Sequence, residues 1–183
     1  KQALQSLLRD NNLTDHTLMA QAGIRGIRSL AGHSETTDLT NDVNGGPSGI
    51  GIATAAGKAL FWDAIGTPRT LKVIAIEGEF ALTSGHSQEL KTQAIAHQVG
   101  KRLRILLSFN NAGIDAELVG NVIAPQFESY RIEDQWASYG WNVLSIENGN
   151  DYGQVAAALK TMEDWDPEDN RPMIVIGRTL KGW

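Results

Sequence analysis

The residues best equipped for chemistry in this chain stand at the ends of two apolar runs. Ile76-Glu77-Gly78-Glu79 closes the first, and Phe109-Asn110-Asn111-Ala112-Gly113-Ile114-Asp115 closes the second. A carboxylate at one tip and a carboxamide at the other are hard oxygen donors. A cation such as magnesium prefers oxygen and takes several of its ligands from the phosphates it carries. Gly78 lets a phosphate approach the main chain, and Gly113 lets the chain turn so that its own carbonyl can face an ion. A helix beginning soon after Glu79 would aim amide donors at a diphosphate. Taken alone, the two fragments also read as an acidic strand-end turn and an ordinary asparagine-rich turn, and neither is specific by itself.

Elements of a particular kind must bring such tips together. Leu71 to Glu77 is apolar and partly β-branched and reads as a buried strand. Arg104 to Phe109, Asn142 to Ile146 and Met173 to Ile176 read as three more. Helical spacing marks Gly49 to Trp62, rich in small residues, then Ser87 to Val99 with Leu90, Ala94 and Ile95 on one side. Glu133 to Tyr139 reads as a short helix, and Tyr152 to Glu163 as a longer one facing inward through Val155, Ala158, Leu159 and Met162. Residues 2–9 and 14–22 also carry helical patterns, 24–48 have loop chemistry, and 110–131 form a long irregular connection. The acidic run Glu163 to Asp169 reads as a solvated turn. Four strands alternating with helices predict an α/β fold, a doubly wound parallel sheet with helices on both faces. Such sheets bind ligands beyond the carboxyl ends of their strands, and that rule selects the two tips above.

Composition narrows the function classes. At 183 residues and 19.8 kDa the chain has room for one domain with a proper core. Sixteen Lys and Arg against twenty-one Asp and Glu leave a net charge of −5, which argues against nucleic acid or an anionic membrane surface as the main partner. The apolar runs fall far short of the roughly 20 residues of a membrane span, and no signal-peptide pattern opens the chain. With no cysteine there is no thiolate zinc site and no cysteine nucleophile, which fits a reducing, cytoplasmic setting. No Gly-x-Gly-x-x-Gly follows a strand and no Gly-Lys-Ser/Thr loop occurs, so a generic nucleotide module is disfavoured. The chain opens on Lys1 within a helical pattern and stops just after an apolar run, so it reads as an excerpt truncated at both ends.

Further fragments lie in order along the chain. Gly32-His33-Ser34-Glu35 is followed by Gly45-Gly46-Pro47-Ser48-Gly49-Ile50-Gly51, then Glu77-Gly78-Glu79, then Asn110-Asn111, whose second asparagine lies 34 residues beyond Glu77. Ser138-Tyr139-Gly140-Trp141, Asn150-Asp151-Tyr152 and Arg178-Thr179-Leu180-Lys181-Gly182 complete the series. Over about residues 20–183 this series resembles the cofactor-binding domain of the transketolase family of thiamine-diphosphate enzymes. That family carries Gly-His-Pro-Glu, Thr-Gly-Pro-Leu-Gly-Gln-Gly, Gly-Asp-Gly, Asn-Asn or Asp-Asn, Ala-Tyr-Gly-Trp, His-Asp-Tyr and Lys-Thr in the same order. Each motif is weak, but collinearity makes the set specific.

The resemblance implies thiamine diphosphate and Mg as cofactors, with Glu77, Asn111 and the Gly113 carbonyl as metal ligands. It places Gly46, Ser48, Gly78, Glu79 and Asn111 around the cofactor, with Gly46 and Ser48 touching the aminopyrimidine through main chain. His33 matches a histidine that hydrogen-bonds the sugar substrate; its alternative is a surface-loop histidine. Glu89 matches a member of an acidic network between sites; its alternative is an exposed helix residue. His86 and His97 read as structural or exposed, and His16 as solvent-facing. The implied reaction transfers a two-carbon ketol unit between sugar phosphates, through a thiazolium carbon that attacks a ketose carbonyl and stabilises the resulting carbanion. The activating glutamate belongs to a separate pyrimidine-binding domain, usually from a second subunit, so a homodimer is implied and this piece does not turn over alone. Three departures stand out: Ile76 replaces the first glycine of Gly-Asp-Gly, Glu77 replaces its aspartate, and Ser84 stands where a glutamate of the acidic network is common. Two other readings compete. One is the first component of a 2-oxoacid dehydrogenase such as pyruvate dehydrogenase, against which Gly32-His33-Ser34-Glu35 and Gly46-Pro47 weigh. The other is a non-catalytic scaffold that kept the fold, for which Ile76, Glu77 and Ser84 are the support.

Overall fold

The structure, a computed structural model, describes residues 42–46, 49–96, 98–110, 131–166 and 168–180. The chain falls into two compact units, residues 1–46 and 47–183. The helical patterns at 2–9 and 14–22, and all but the ends of the 110–131 connection, lie outside the described residues.

The second unit is built on four parallel strands in the order β1-β2-β4-β3. They are β1 (Val73–Gly78), β2 (Leu103–Phe109), β3 (Asn142–Ile146) and β4 (Met173–Arg178). The helices are α1 (Ile50–Ala64), α2 (Gly85–Ala96), α3 (Ile132–Ser138) and α4 (Tyr152–Glu163). A 3-10 turn, Glu79–Thr83, links β1 to α2. The α/β reading of the sequence therefore holds, and the predicted strands and helices fall within a few residues of the observed ones.

Two apolar layers explain why this sequence folds so. On one face Ile52, Ala55 and Ala59 of α1, Leu90 of α2, and Ile132 and Trp136 of α3 pack on Val73, Ala75, Ile105, Leu107, Ile174 and Ile176. The spacing of Ile52, Ala55 and Ala59 places them on one helical stripe, and the two alanines let α1 lie close to the sheet. On the other face Ala158 and Met162 of α4 cover Ile146, Met173 and Val175. Strand β4, covered on both faces, is buried from Met173 to Gly177. The rings of Trp136 and Trp141 meet edge to face with centroids 4.6 Å apart, and Trp141 Nε1 donates to the Lys91 carbonyl at 2.9 Å, which ties α3 and β3 to α2.

Three expectations need correction. The run Val73-Ile74-Ala75-Ile76 is not buried throughout: Ile74 is 52% and Ile76 78% exposed. The reason is position, since among the described residues β1 stands at the end of the sheet and α4 covers the β3 and β4 side of that face. Leu159 of α4 is 38% exposed rather than turned inward, because the buried stripe runs through Ala158 and Met162. The acidic run is mostly exposed, but Asp169 is drawn into the fold, accepting from Asn142 Nδ2 at 3.0 Å, Trp165 Nε1 at 3.1 Å and Arg171 Nη2 at 2.8 Å.

Candidate functional site at the carboxyl ends of the strands

Strands β1 and β2 are hydrogen-bonded neighbours, with Glu77 opposite Leu107 and Gly78 opposite Ser108. Their carboxyl ends therefore share one rim. Glu77 is half-buried there, and the Gly78 N–H donates to its Oε1 at 3.1 Å. Burial raises the Glu77 carboxyl above its ordinary value, and the Gly78 hydrogen bond opposes part of that rise. Glu77 Oε2 points to the first turn of α1, where a Cβ on Gly51 would lie 3.7 Å away. Among the described residues no donor is bonded to Oε2. A Cβ built on Gly78 meets nothing within 4 Å, so the main chain beside Glu77 borders open space.

Glu79 is 1% exposed, and its Oε1 accepts the Asn110 N–H at 3.1 Å. Its side chain faces the protein. Glu89 lies on α2, exposed to solvent. Gly46, in the first unit, has φ +65° and donates its N–H to Asn44 Oδ1 at 2.9 Å, a local turn. His33, Ser48, Asn111 and Gly113 lie outside the described residues, as do His16 and His97. Among the described residues no group of three or more His, Cys, Asp or Glu is arranged to hold a metal ion. What the rim does hold is a hard donor set in part: the Glu77 carboxylate, with one oxygen bonded to no described donor, beside the neighbouring strand end that leads into Asn110. That chemistry fits a cation sharing its sphere with phosphate oxygens.

Three features were not legible as site residues. Gly49 precedes α1 with φ +74°, and a Cβ there would come within 2.5 Å of Ser87 Oγ, 2.6 Å of Ser84 Oγ and 2.7 Å of the Ala81 carbonyl. The start of α1 is thus locked against the turn after β1. Ser84 Oγ donates to the Ala81 carbonyl at 2.8 Å and lies 2.7 Å from Ser87 Oγ, so it braces the start of α2. On β4, the Arg178 guanidinium stands 4.3 Å over the Phe109 ring and pairs with Glu133 of α3. Burial works to raise the Glu133 pKa, yet hydrogen bonds from its own backbone N–H, Arg178 and Ser145 leave it lowered. The Gly-containing motif was the signal for Gly49, whereas nothing in sequence couples Arg178 to Glu133.

Two of the collinear fragments also meet at this rim. The Leu180 N–H donates to Asn150 Oδ1 at 2.8 Å, and the Gly149 N–H donates to the Arg178 carbonyl at 2.6 Å.

Fold and rim together define an α/β domain whose polar strand tips gather at one end of a parallel sheet, the class that binds ligands at its carboxyl edge. The model of the transketolase thiamine diphosphate binding domain matches residues 21–183, and the chain belongs to that family. A transketolase of Halalkalibacterium halodurans is 26% identical over 160 residues, 83% of this chain and 22% of the relative. One from Geobacillus stearothermophilus is 28% identical over 160 residues, again 83% of this chain and 22% of the relative. The solved transketolase from Leishmania mexicana shares the fold with a TM-score of 0.63 at 20% identity, over 91% of this chain and 26% of that one. A transketolase mutant from Pichia stipitis in complex with xylulose-5-phosphate gives a TM-score of 0.60 at 25% identity, over 80% of this chain and 22% of that one. The chain thus spans about a quarter or less of the length of these proteins.

Proposed function

We propose that this chain is the part of a transketolase-type transferase that holds the diphosphate and the metal, within an enzyme that moves a two-carbon ketol unit between sugar phosphates. The observation that supports this most is the unbonded oxygen of Glu77 beside the open main chain of Gly78, at the tip of a strand paired to β2, after which the sequence reads Asn110-Asn111. Glu77 Oε2, the Asn111 side chain and the Gly113 carbonyl would hold magnesium, and Gly78 would let the diphosphate lie against the main chain. When bound, thiamine diphosphate supplies a carbon acid that adds to a ketose carbonyl and retains the electrons freed by carbon–carbon cleavage. The chain's own residues bind and orient. Gly46 and Ser48 present main chain to the aminopyrimidine, His33 hydrogen-bonds the sugar, and Glu89 joins an acidic network with the second subunit of a homodimer. The glutamate that activates the aminopyrimidine lies in the pyrimidine-binding domain. The sugar-phosphate substrate follows from the Pichia stipitis relative, which is seen with xylulose-5-phosphate.

Calorimetric titration of the full-length polypeptide with thiamine diphosphate and MgCl2 tests this reading. Binding is expected, and Asn111→Ala is expected to abolish it while the circular dichroism spectrum stays unchanged. Unaltered affinity in that variant would remove Asn111 from the site. One observation favours a second reading, a non-catalytic scaffold. Ser84 is committed to Ala81 and Ser87, so it contributes nothing to a carboxylate network. A full-length protein that takes up no thiamine diphosphate with MgCl2 would favour the scaffold.

A further inference from the structure

We propose that Glu79 is a positioning residue for this site, a side-chain rung that locks the tip of β2 to the tip of β1. The paired register of β1 ends with Gly78 opposite Ser108, and β2 runs one residue further, to Phe109. Phe109 turns its carbonyl toward β4, where it accepts the Thr179 N–H at 3.0 Å. Successive residues of a strand turn their main-chain groups to opposite sides, so Asn110 turns its N–H back toward β1. There the chain has left the sheet for the 3-10 turn Glu79–Thr83 and offers no further strand. Glu79 Oε1 accepts that N–H instead, at 3.1 Å.

The side chain of Glu79 is enclosed, at 1% exposure, so it acts through Asn110 rather than by touching a ligand. Asn111 follows Asn110 by one peptide unit. The rung therefore sets where the proposed carboxamide ligand begins relative to Glu77. Magnesium demands near-ideal octahedral geometry, so a loosened tip lowers its affinity. This role rests on the function proposed above, because the site it positions is the diphosphate and metal site.

The test uses the full-length protein, Glu79→Leu and Glu79→Gln, and two readouts: hydrogen exchange at the Asn110 amide, and calorimetric binding of thiamine diphosphate with MgCl2. Glu79→Leu removes the carboxylate oxygen that accepts from that amide. It is expected to speed Asn110 exchange and weaken binding, each by about tenfold or more, with an unchanged circular dichroism spectrum. Glu79→Gln keeps a carbonyl in place and is expected to restore both to within about threefold. If Glu79→Leu does not fold, Glu79→Asp, a methylene shorter, replaces it with the same expectation. Wild-type affinity in a variant whose Asn110 amide exchanges fast would overturn the positioning role, as would Glu79→Gln binding as weakly as Glu79→Leu. A wild-type protein that binds no cofactor would instead overturn the proposed function, and the Asn110 exchange ratio would still decide whether the rung exists.

Discussion

Glu77 is the metal ligand proposed for the rim, and burial gives its carboxyl a pH signature of its own. Burial holds its carboxyl above the ordinary carboxylate range, despite the Gly78 hydrogen bond. A metal binds the deprotonated form, so protons and metal compete for Oε2. Metal-dependent cofactor affinity is therefore expected to fall as pH drops toward the raised pKa, and calorimetry from neutral pH down through the ordinary carboxylate range would follow it. A flat affinity over that range, or an unchanged one in Glu77→Gln, would take Glu77 out of the ligand set. For folding the sign is reversed. An acid whose folded pKa is raised adds stability below its unfolded pKa, and that share is lost as pH rises through the folded value. At this scale the sequence named Glu77 and Gly78 by type and spacing. It could not show that the neighbouring carboxylate, Glu79, turns into the protein, because that depends on the offset between two strand ends.

At the scale of elements, the start of α1 is the sharpest constraint. Gly49 combines a left-handed φ of +74° with a position where a Cβ would overlap the Ala81 carbonyl and two serine hydroxyls. Both effects act on the same residue: the backbone strain costs about 1–3 kcal/mol and the overlap about as much again. Gly49→Ala is expected to lower stability by about 3 kcal/mol, measured by denaturant unfolding. A loss below about 0.5 kcal/mol would mean that the turn after β1 yields easily. Because the same turn carries Glu79, cofactor affinity in this variant should fall with stability. Helix positions were legible because α1 and α4 repeat small or apolar residues at helical spacing. Their ends were less so, since the turn contacts of Gly49 and Ser84, rather than local propensity, decide where α1 and α2 begin.

For the whole molecule, the end of the sheet opposite the candidate site is tied by one carboxylate. Asp169 gathers Asn142 at the start of β3, Trp165 after α4 and Arg171 before β4. Arg171, above all, holds its carboxyl well below the usual range. The sign follows directly. An acid with a depressed folded pKa contributes stability that is fully present above its unfolded value near 3.9 and is lost as pH falls below it. Asp169→Asn is expected to cost about 2 kcal/mol at pH 7, and the gap from wild type should start to narrow as pH falls below about 4 and close only toward the strongly lowered folded pKa. Thermal unfolding across that range is the measurement. A gap that stays constant with pH would assign the effect to geometry rather than charge.

Much about this chain was settled by its sequence alone. Continuous apolar runs such as Met173 to Ile176 placed strands, periodic apolar stripes placed helices, their alternation made the sheet parallel, and collinear glycine and asparagine motifs pointed to the family. These are local properties, set by spacing along the chain. Tertiary structure decided what depends on which segment lies beside which. The strand order β1-β2-β4-β3 left Ile76 exposed on an edge, although its sequence context matches that of the buried Ile176. Packing of α3 and of the connection before β4 against the sheet brought Glu133 to Arg178 and Asp169 to Asn142. A one-residue difference between two strand ends gave Glu79 the Asn110 amide to hold. Burial and hydrogen bonding are sums over neighbours distant in sequence, and no local pattern contains them.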